Sequence, residues 1–164
     1  MDFIAAEKYV TEQKEKIISL LIDYAMTDTI LFWSEDEVLN KLQKQQWQPM
    51  IDKFNEAVST DFKMTYGLNI SPENEKNKSI LQKYIDSFNK KELSALYAAS
   101  ASMKSVFLGL LLAKKKINAS EAFKSAFLEE LHQNSLWGEE KEAVAKREQV
   151  KTDLLEIEEY LQNG

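Results

Sequence analysis

The stretch Lys91–Lys116, KELSALYAASASMKSVFLGLLLAKKK, decides the fold class. Its apolar residues lie nearly all round a helical wheel instead of along one stripe, which marks a helix surrounded by other elements. Read as one central helix it would run roughly 39 Å at 1.5 Å per residue. Leu96, Val106, Phe107, Leu110 and Leu111 are expected among the most buried residues. The longest apolar run, Val106 to Ala113, is broken only by Gly109 and falls far short of the roughly 20 residues needed to cross a bilayer. Ala95, Ala98, Ser102, Ser105 and Gly109 recur at steps of 3 and 4, a line of small residues that a neighbouring backbone can approach closely. Two readings of that line stand: a tight helix crossing inside the domain, or the floor of a groove for another protein's helix.

Working outward, helical periodicity covers most of the chain. Residues 3–26 predict a first helix, with Ile17, Leu20, Leu21, Tyr24 and Ala25 at i, i+3, i+4, i+7 and i+8. Thr27-Asp28-Thr29 breaks it, and Ile30 to Trp33 is a β-prone run. Helices are expected over 36–46 and from Trp47 onward, with Pro49 near the first turn of the latter, where its missing N–H does no harm. Phe62 to Ile70 alternates as a strand does, and 30–33 with 62–70 would make a short two-strand ribbon. Ser71 to Lys78 reads as a polar loop. A short helix follows over 79–88, with Ile80, Leu81, Tyr84, Ile85 and Phe88 inward. After the central helix, Asn118 or Ser120 caps one that runs to about Leu136, with Ala122, Phe123, Ala126, Phe127 and Leu131 inward. The last helix, about 139–162, carries Val150, Leu154, Ile157 and Leu161 on one line. The expected fold is mainly α: a single helical domain, 1–164, of six to seven helices with the short ribbon.

Composition narrows the function. The chain has no Cys, so disulfides, thiolate metal sites and cysteine nucleophiles are excluded. Its net charge of −6 opposes a phosphate-binding footprint, and no nucleic-acid partner is expected. No membrane insertion is expected either. The 4 Gly and 2 Pro form no phosphate-cradling motif. Glu129-x-x-His132 matches half of a di-iron pair, but His132 is the sole His, so the paired site cannot form within one chain. No metal, cofactor or catalytic residue is expected. A carboxylate pair drawn from Glu129, Glu130 and Glu139 is the one enzymatic reading to set against a binding protein.

The segment Phe127 to Glu142, FLEELHQNSLWGEEKE, packs Glu129, Glu130, Gln133, Glu139 and Glu140 around Leu136, Trp137 and Gly138. Trp137 reads either as a core plug or as a protein-docking edge, since Trp is enriched at interface hot spots. Arg147 lies on the line Ala143, Arg147, Val150, Leu154. It therefore points inward, where a charge needs a partner, and Glu129 or Glu130 is the natural one.

These residues, taken in order, resemble a known family. The pieces are Tyr24-Ala25-x-Thr27-Asp28 with the ILFW run, Gln43-x-x-x-Trp47-x-Pro49, Thr65-x-Gly67, Leu93-Ser94-Ala95-Leu96, Ser105-Val106-x-Leu108-Gly109-Leu110-x-Leu112-Ala113, and Glu121-Ala122-Phe123. The set closes with Glu129-Glu130-x-x-Gln133-x-x-x-Trp137-Gly138-Glu139, then Glu142-Ala143 and Arg147. Together they resemble the assembly chaperone of the ATP synthase alpha subunit, the "ATP-twelve" family. The resemblance implies a non-enzymatic chaperone that binds the free alpha subunit and prevents its aggregation until beta subunits replace it. A monomer is expected. The family's acidic motif carries over to Glu129, Glu130 and Gln133; with Trp137 and Glu139, read from the residues themselves, these are the expected partner-binding residues, and Arg147 is the expected structural ion pair. The resemblance places the chain in the bacterial cytoplasm, or in the mitochondrial matrix of a eukaryote. The stretch corresponds to the family's helical C-terminal domain, and the β-rich N-terminal domain is expected to be absent from this chain. His132 stands where the family more often has an aromatic residue, and Asn134 where it has an aliphatic one. A generic helical interaction or scaffold domain is the alternative function.

Overall fold

A computed structural model of the chain describes residues 1–67, 69 and 71–163. The expected central helix is two helices. Lys104 takes a left-handed φ of 56° and Ser105 an extended conformation, so α5 (Lys90–Met103) ends and α6 (Val106–Ala113) begins at a corner. Each side has its own cap. The Asn89 side chain and Glu92 form a capping box on α5, and Ser105 Oγ accepts from Leu108 N on α6. The sequence holds a trace of this corner: charged and hydroxyl side chains are interspersed over 91–103, whereas 106–113 is apolar throughout. Every residue of α6 is buried.

The other helices wrap this pair. The run 3–26 splits at Gln13 into α1 (Phe3–Glu12) and α2 (Lys14–Met26). The run 118–136 splits at Phe127 into α7 (Ala119–Ala126) and α8 (Leu128–Trp137). The two helices expected over 36–46 and from Trp47 are instead one, α3 (Glu37–Val58). α4 (Lys78–Asp86) and α9 (Lys141–Gln162) lie close to where periodicity placed them. There are thus nine helices among the described residues, not six to seven. α5 packs on α6, α1 and α9, while α6 also meets α2, α3 and α7.

Pro49 lies inside α3. The helix continues through it because Trp47 is buried and donates Nε1–H to Ser125 O at 2.8 Å, and Met50, Ile51 and Phe54 extend the same buried line. Pro49 and Gln45 are both exposed, so water can take up the carbonyl that the proline leaves without a donor.

The ribbon is present and short. β1 (Phe32–Trp33) pairs in parallel with β2 (Thr65–Tyr66). Leu68 and Ile70, the far end of the expected strand, lie outside the described residues. Phe62 leaves the ribbon to join an aromatic cluster, packing edge-on against Phe54 and Phe107 while those two stack at 3.9 Å. The expected polar loop contains a 3-10 helix, Pro72–Asn77. Its buried Asn74 bonds both Lys63 N and Lys63 O, at 3.0 and 3.1 Å.

Four residues expected inward are exposed: Leu20, Tyr24, Ile80 and Leu131. On α2 the buried stripe is Ile17, Ile18, Leu21, Ile22, Ala25 and Met26. That is one residue position round from the expected line, and it leaves Leu20 and Tyr24 on its open flank.

The small-residue line acts at the corner. A Cβ on Gly109 would collide with Ser100 Oγ and lie 3.0 Å from Ser100 N and 3.3 Å from Leu96 O. The close approach is therefore between α5 and α6 themselves. Ser100 Oγ is buried without a hydrogen-bond partner. Gly109→Ala is expected to destabilise by about 1–3 kcal/mol in urea titration, since a packed backbone must shift. Adding Ser100→Ala should recover part of the loss, by removing the colliding atom. Equal stability of G109A and the parent would disprove the close approach.

Asp28 closes the fold at α6. It is buried, and its carboxylate accepts from Ser105 Oγ at 2.8 Å, Phe107 N at 3.0 Å and Ile30 N at 3.3 Å. Burial pushes its carboxyl up from 3.8 to about 6 against the lowering effect of these bonds. The folded state thus holds the proton more tightly than the unfolded one. The contribution of Asp28 is fullest below pH 3.8 and is lost as pH rises through about 6, by roughly 3 kcal/mol. The unfolding free energy of the parent minus that of Asp28→Asn should therefore fall between pH 4.5 and 7. A difference that is flat or rises would show that Asp28 does not titrate this way.

Candidate protein-docking site

α8 ends at Trp137 because Gly138 takes φ 89°, ψ 174°, a conformation open to glycine and strained for other residues. Beyond it the chain passes through Glu139 into α9, which packs on α5 and α7. One guanidinium fastens this corner. Arg147 is 5% exposed, with Nη1 3.5 Å from Glu130 Oε2 and Nη2 3.4 Å from Glu139 Oε1. The Asn134 amide satisfies its surroundings with its oxygen toward the guanidinium, accepting from Nη1 at 2.9 Å and Nη2 at 3.1 Å, while its nitrogen donates to Gly138 O. Three parts of the site (the first turn of α8, its C-terminal turn and the segment after Gly138) converge on one buried cation.

Glu129 turns the other way. Its Oε1 accepts from Gln43 Nε2 at 3.2 Å, and Gln43 Oε1 accepts from Ser34 N at 2.8 Å. Burial raises the Glu129 carboxyl above the usual carboxylate range, and the Gln43 bond partly offsets this. Gln43 is wholly buried, one turn before Trp47 on α3. The two adjacent glutamates therefore anchor different walls, Glu130 to α9 and Glu129 to α3. Sequence reading matched Gln43 to the family pattern without giving it a role. A signal was available: Gln43, Trp47, Met50 and Phe54 fall on one apolar line, so an amide on that line needs a buried partner.

Between these anchors the apolar side chains face outward. Trp137 is 85% exposed and Leu136 is 61%, so the core-plug reading of Trp137 is overturned. Leu131 and Gln133 are exposed as well. The helix is held from its acidic side, which leaves Leu136 and Trp137 at its tip without an internal neighbour to cover them. The structure brings Glu130, Glu139 and Arg147 together, places Glu129 with Gln43, and sets Gln133 and Trp137 at the surface. Among the described residues no three His, Asp or Glu side chains gather as a metal site, and no helix is long and apolar enough to cross a membrane.

Comparison with known proteins adds to this geometry. Residues 2–55 match the family described as ATP12 chaperone protein. The mitochondrial protein atp12 of Schizosaccharomyces pombe is 26% identical over 144 residues, which cover 82% of this chain and 49% of that protein. The chain resembles the Atp12 family. Crystal-structure comparison extends the likeness to the fold. Atp12 of Paracoccus denitrificans superposes with a TM-score of 0.89 at 24% identity, covering 96% of this chain and 68% of that one. A protein of Agrobacterium tumefaciens superposes with a TM-score of 0.82 at 20% identity, covering 95% and 59%. The chain spans about half the length of its fission-yeast Atp12 relative. The stretch matched to the ATP12 family covers α1, α2 and most of α3, and stops well before the α8 corner.

The shared cation makes a testable pattern. Glu130→Gln alone leaves Arg147 with Glu139 and Asn134, and should cost under about 1 kcal/mol because Glu130 is part-exposed and screened. Glu130→Gln with Glu139→Gln leaves a buried guanidinium without a carboxylate, and should cost more than the two single changes added. Urea titration of the four-member cycle reads this directly, and strict additivity would disprove the shared cation.

Proposed function

We propose that this chain is an assembly chaperone of the ATP synthase catalytic head that binds the free alpha subunit and keeps it from aggregating before beta subunits take its place. The observation that carries this reading is the exposed tip of α8. Leu136 and Trp137 stand free on a corner fixed by Arg147, in a chain similar to Atp12 proteins in sequence and fold. A subunit awaiting assembly exposes an apolar interface, and such patches aggregate. A pre-formed apolar tip with an acidic rim can cover part of that interface. Binding the free subunit and not the assembled one shifts populations by mass action, with no chemical step.

In this reading Trp137 is the anchor and Glu139 and Gln133 form its polar rim. Glu129 and Glu130 hold the corner in shape and lend it negative charge. The chain acts as a monomer, without cofactor, in the compartment where the catalytic head is assembled, bacterial cytoplasm or mitochondrial matrix. The domain used is the helical one, 1–164.

Light scattering of purified alpha subunit, diluted from denaturant with and without this chain, tests the proposal. A stoichiometric amount of chain should suppress the scattering. Trp137→Ala should weaken capture at least tenfold, the usual scale of a buried aromatic hot spot, with thermal unfolding unchanged because the side chain is exposed in the free protein. Undiminished scattering at excess chain would sink the proposal. Suppression that survives Trp137→Ala would move the contact away from α8.

A further inference from the structure

The corner between α5 and α6 opens on a second surface that the α8 tip does not use. A cleft of about 440 Å³ lies between α2 and α5, walled by Leu20, Tyr24, Tyr97, Ala101, Lys104 and Val106. That volume is within the range of ~300–1,000 Å³ typical of ligand clefts. Leu20 is 44% and Tyr24 60% exposed although both are large and apolar. At Lys104 and Ser105 this cleft joins a second one, of about 330 Å³, that runs toward Lys146, Glu129 and Arg147.

The charges along this course are unevenly committed. Glu130 is paired with Arg147, and Glu129 is held by the neutral amide of Gln43. Asp28 is buried against the start of α6. Lys104 and Lys146, by contrast, have no carboxylate within ion-pair distance among the described residues, in a chain whose net charge is −6. Lys104 also holds a left-handed φ of 56° at the end of α5, where glycine is the relaxed choice. Ser59 and Lys115 share this conformation, so what sets Lys104 apart is its place, on the wall common to both clefts.

We propose that this cleft receives a segment of a partner protein in which one or two large apolar side chains are followed by carboxylates. The apolar side chains fill the space between Tyr24, Tyr97 and Ala101, and the carboxylates meet Lys104 and, further along, Lys146. The partner is the client of the preceding section, so the assignment of that client rests on the reading given there. The cleft supplies a second contact, separate from Trp137, and sets the sign of the charge the bound segment must carry.

Two probes test it on the whole chain. The first is a synthetic peptide with Leu and Phe one helical turn apart followed by two glutamates, alongside the same peptide with lysines in their place. The second is purified alpha subunit. In amide NMR titrations the acidic peptide should shift Tyr24, Tyr97, Ala101 and Lys104 and bind at least tenfold more tightly than the basic one. Lys104→Glu should reverse that preference. Lys104→Gly should weaken the acidic peptide several-fold while holding or raising the melting temperature, because it relaxes the backbone as it removes the charge. Equal binding of both peptides, an unchanged preference in Lys104→Glu, or shifts centred on Trp137 would overturn the proposal. Lys104→Glu and Ala101→Trp, which fills the cleft, should each weaken capture of alpha subunit. If parent and both variants capture it equally, the cleft proposal fails and the chaperone reading stands. If the peptides behave as expected but the parent does not bind alpha subunit, the cleft stands and the client is wrong.

Discussion

A carboxylate buried against the first turn of a wholly buried helix organises this molecule. α6 has no polar side chain along its length and no exposed face. Its N-terminal N–H groups must still be satisfied. Ser105 takes one, and Asp28, from the turn after α2, takes Phe107 N and the Ser105 hydroxyl together. The same carboxylate accepts Ile30 N and so shapes the turn that leads into β1. One side chain thus fixes where α2 ends, where α6 begins and how β1 departs. Its elevated pKa measures the cost of keeping that charge dry.

The corner at Lys104–Ser105 follows from this anchor. α5 cannot run straight into α6, because the first turn of α6 has to face Asp28. The chain therefore turns through a left-handed residue, and Gly109 lets the two arms fold together against Ser100. Both outward-facing features stand on that geometry. The cleft between α2 and α5 is the space the corner leaves. The α8 tip is held away from the core because Arg147 and Gln43 grip α8 from opposite sides through Glu130 and Glu129. Polar residues position both surfaces, while large apolar side chains, Leu20 and Tyr24 at the cleft and Leu136 and Trp137 at the tip, are left uncovered. A surface held in shape this way would not have to be ordered on binding, which would otherwise cost affinity.

The sequence alone determined the class of the fold and most of the buried set. Periodicity marked the helices of α4 and α9 nearly to their ends, and the all-round apolar run 106–113 identified the centre, because burial on every side admits no polar position. It also placed Arg147 inward and the acidic cluster beside Trp137. Tertiary structure decided what periodicity cannot register. Breaks at Gln13, Lys104 and Phe127 keep the hydrophobic phase on both sides, so three apparent helices were six, and Pro49 failed to interrupt α3 because Trp47 holds it from the far side. Trp137 could be core or surface on its pattern alone; only the packing of α8 on α3 and its hold by Arg147 left it bare. Pairing was equally hidden. Which glutamate meets Arg147, and that Asp28 caps a helix 77 residues away, depends on contacts between elements distant in the chain, and a local pattern carries no record of them.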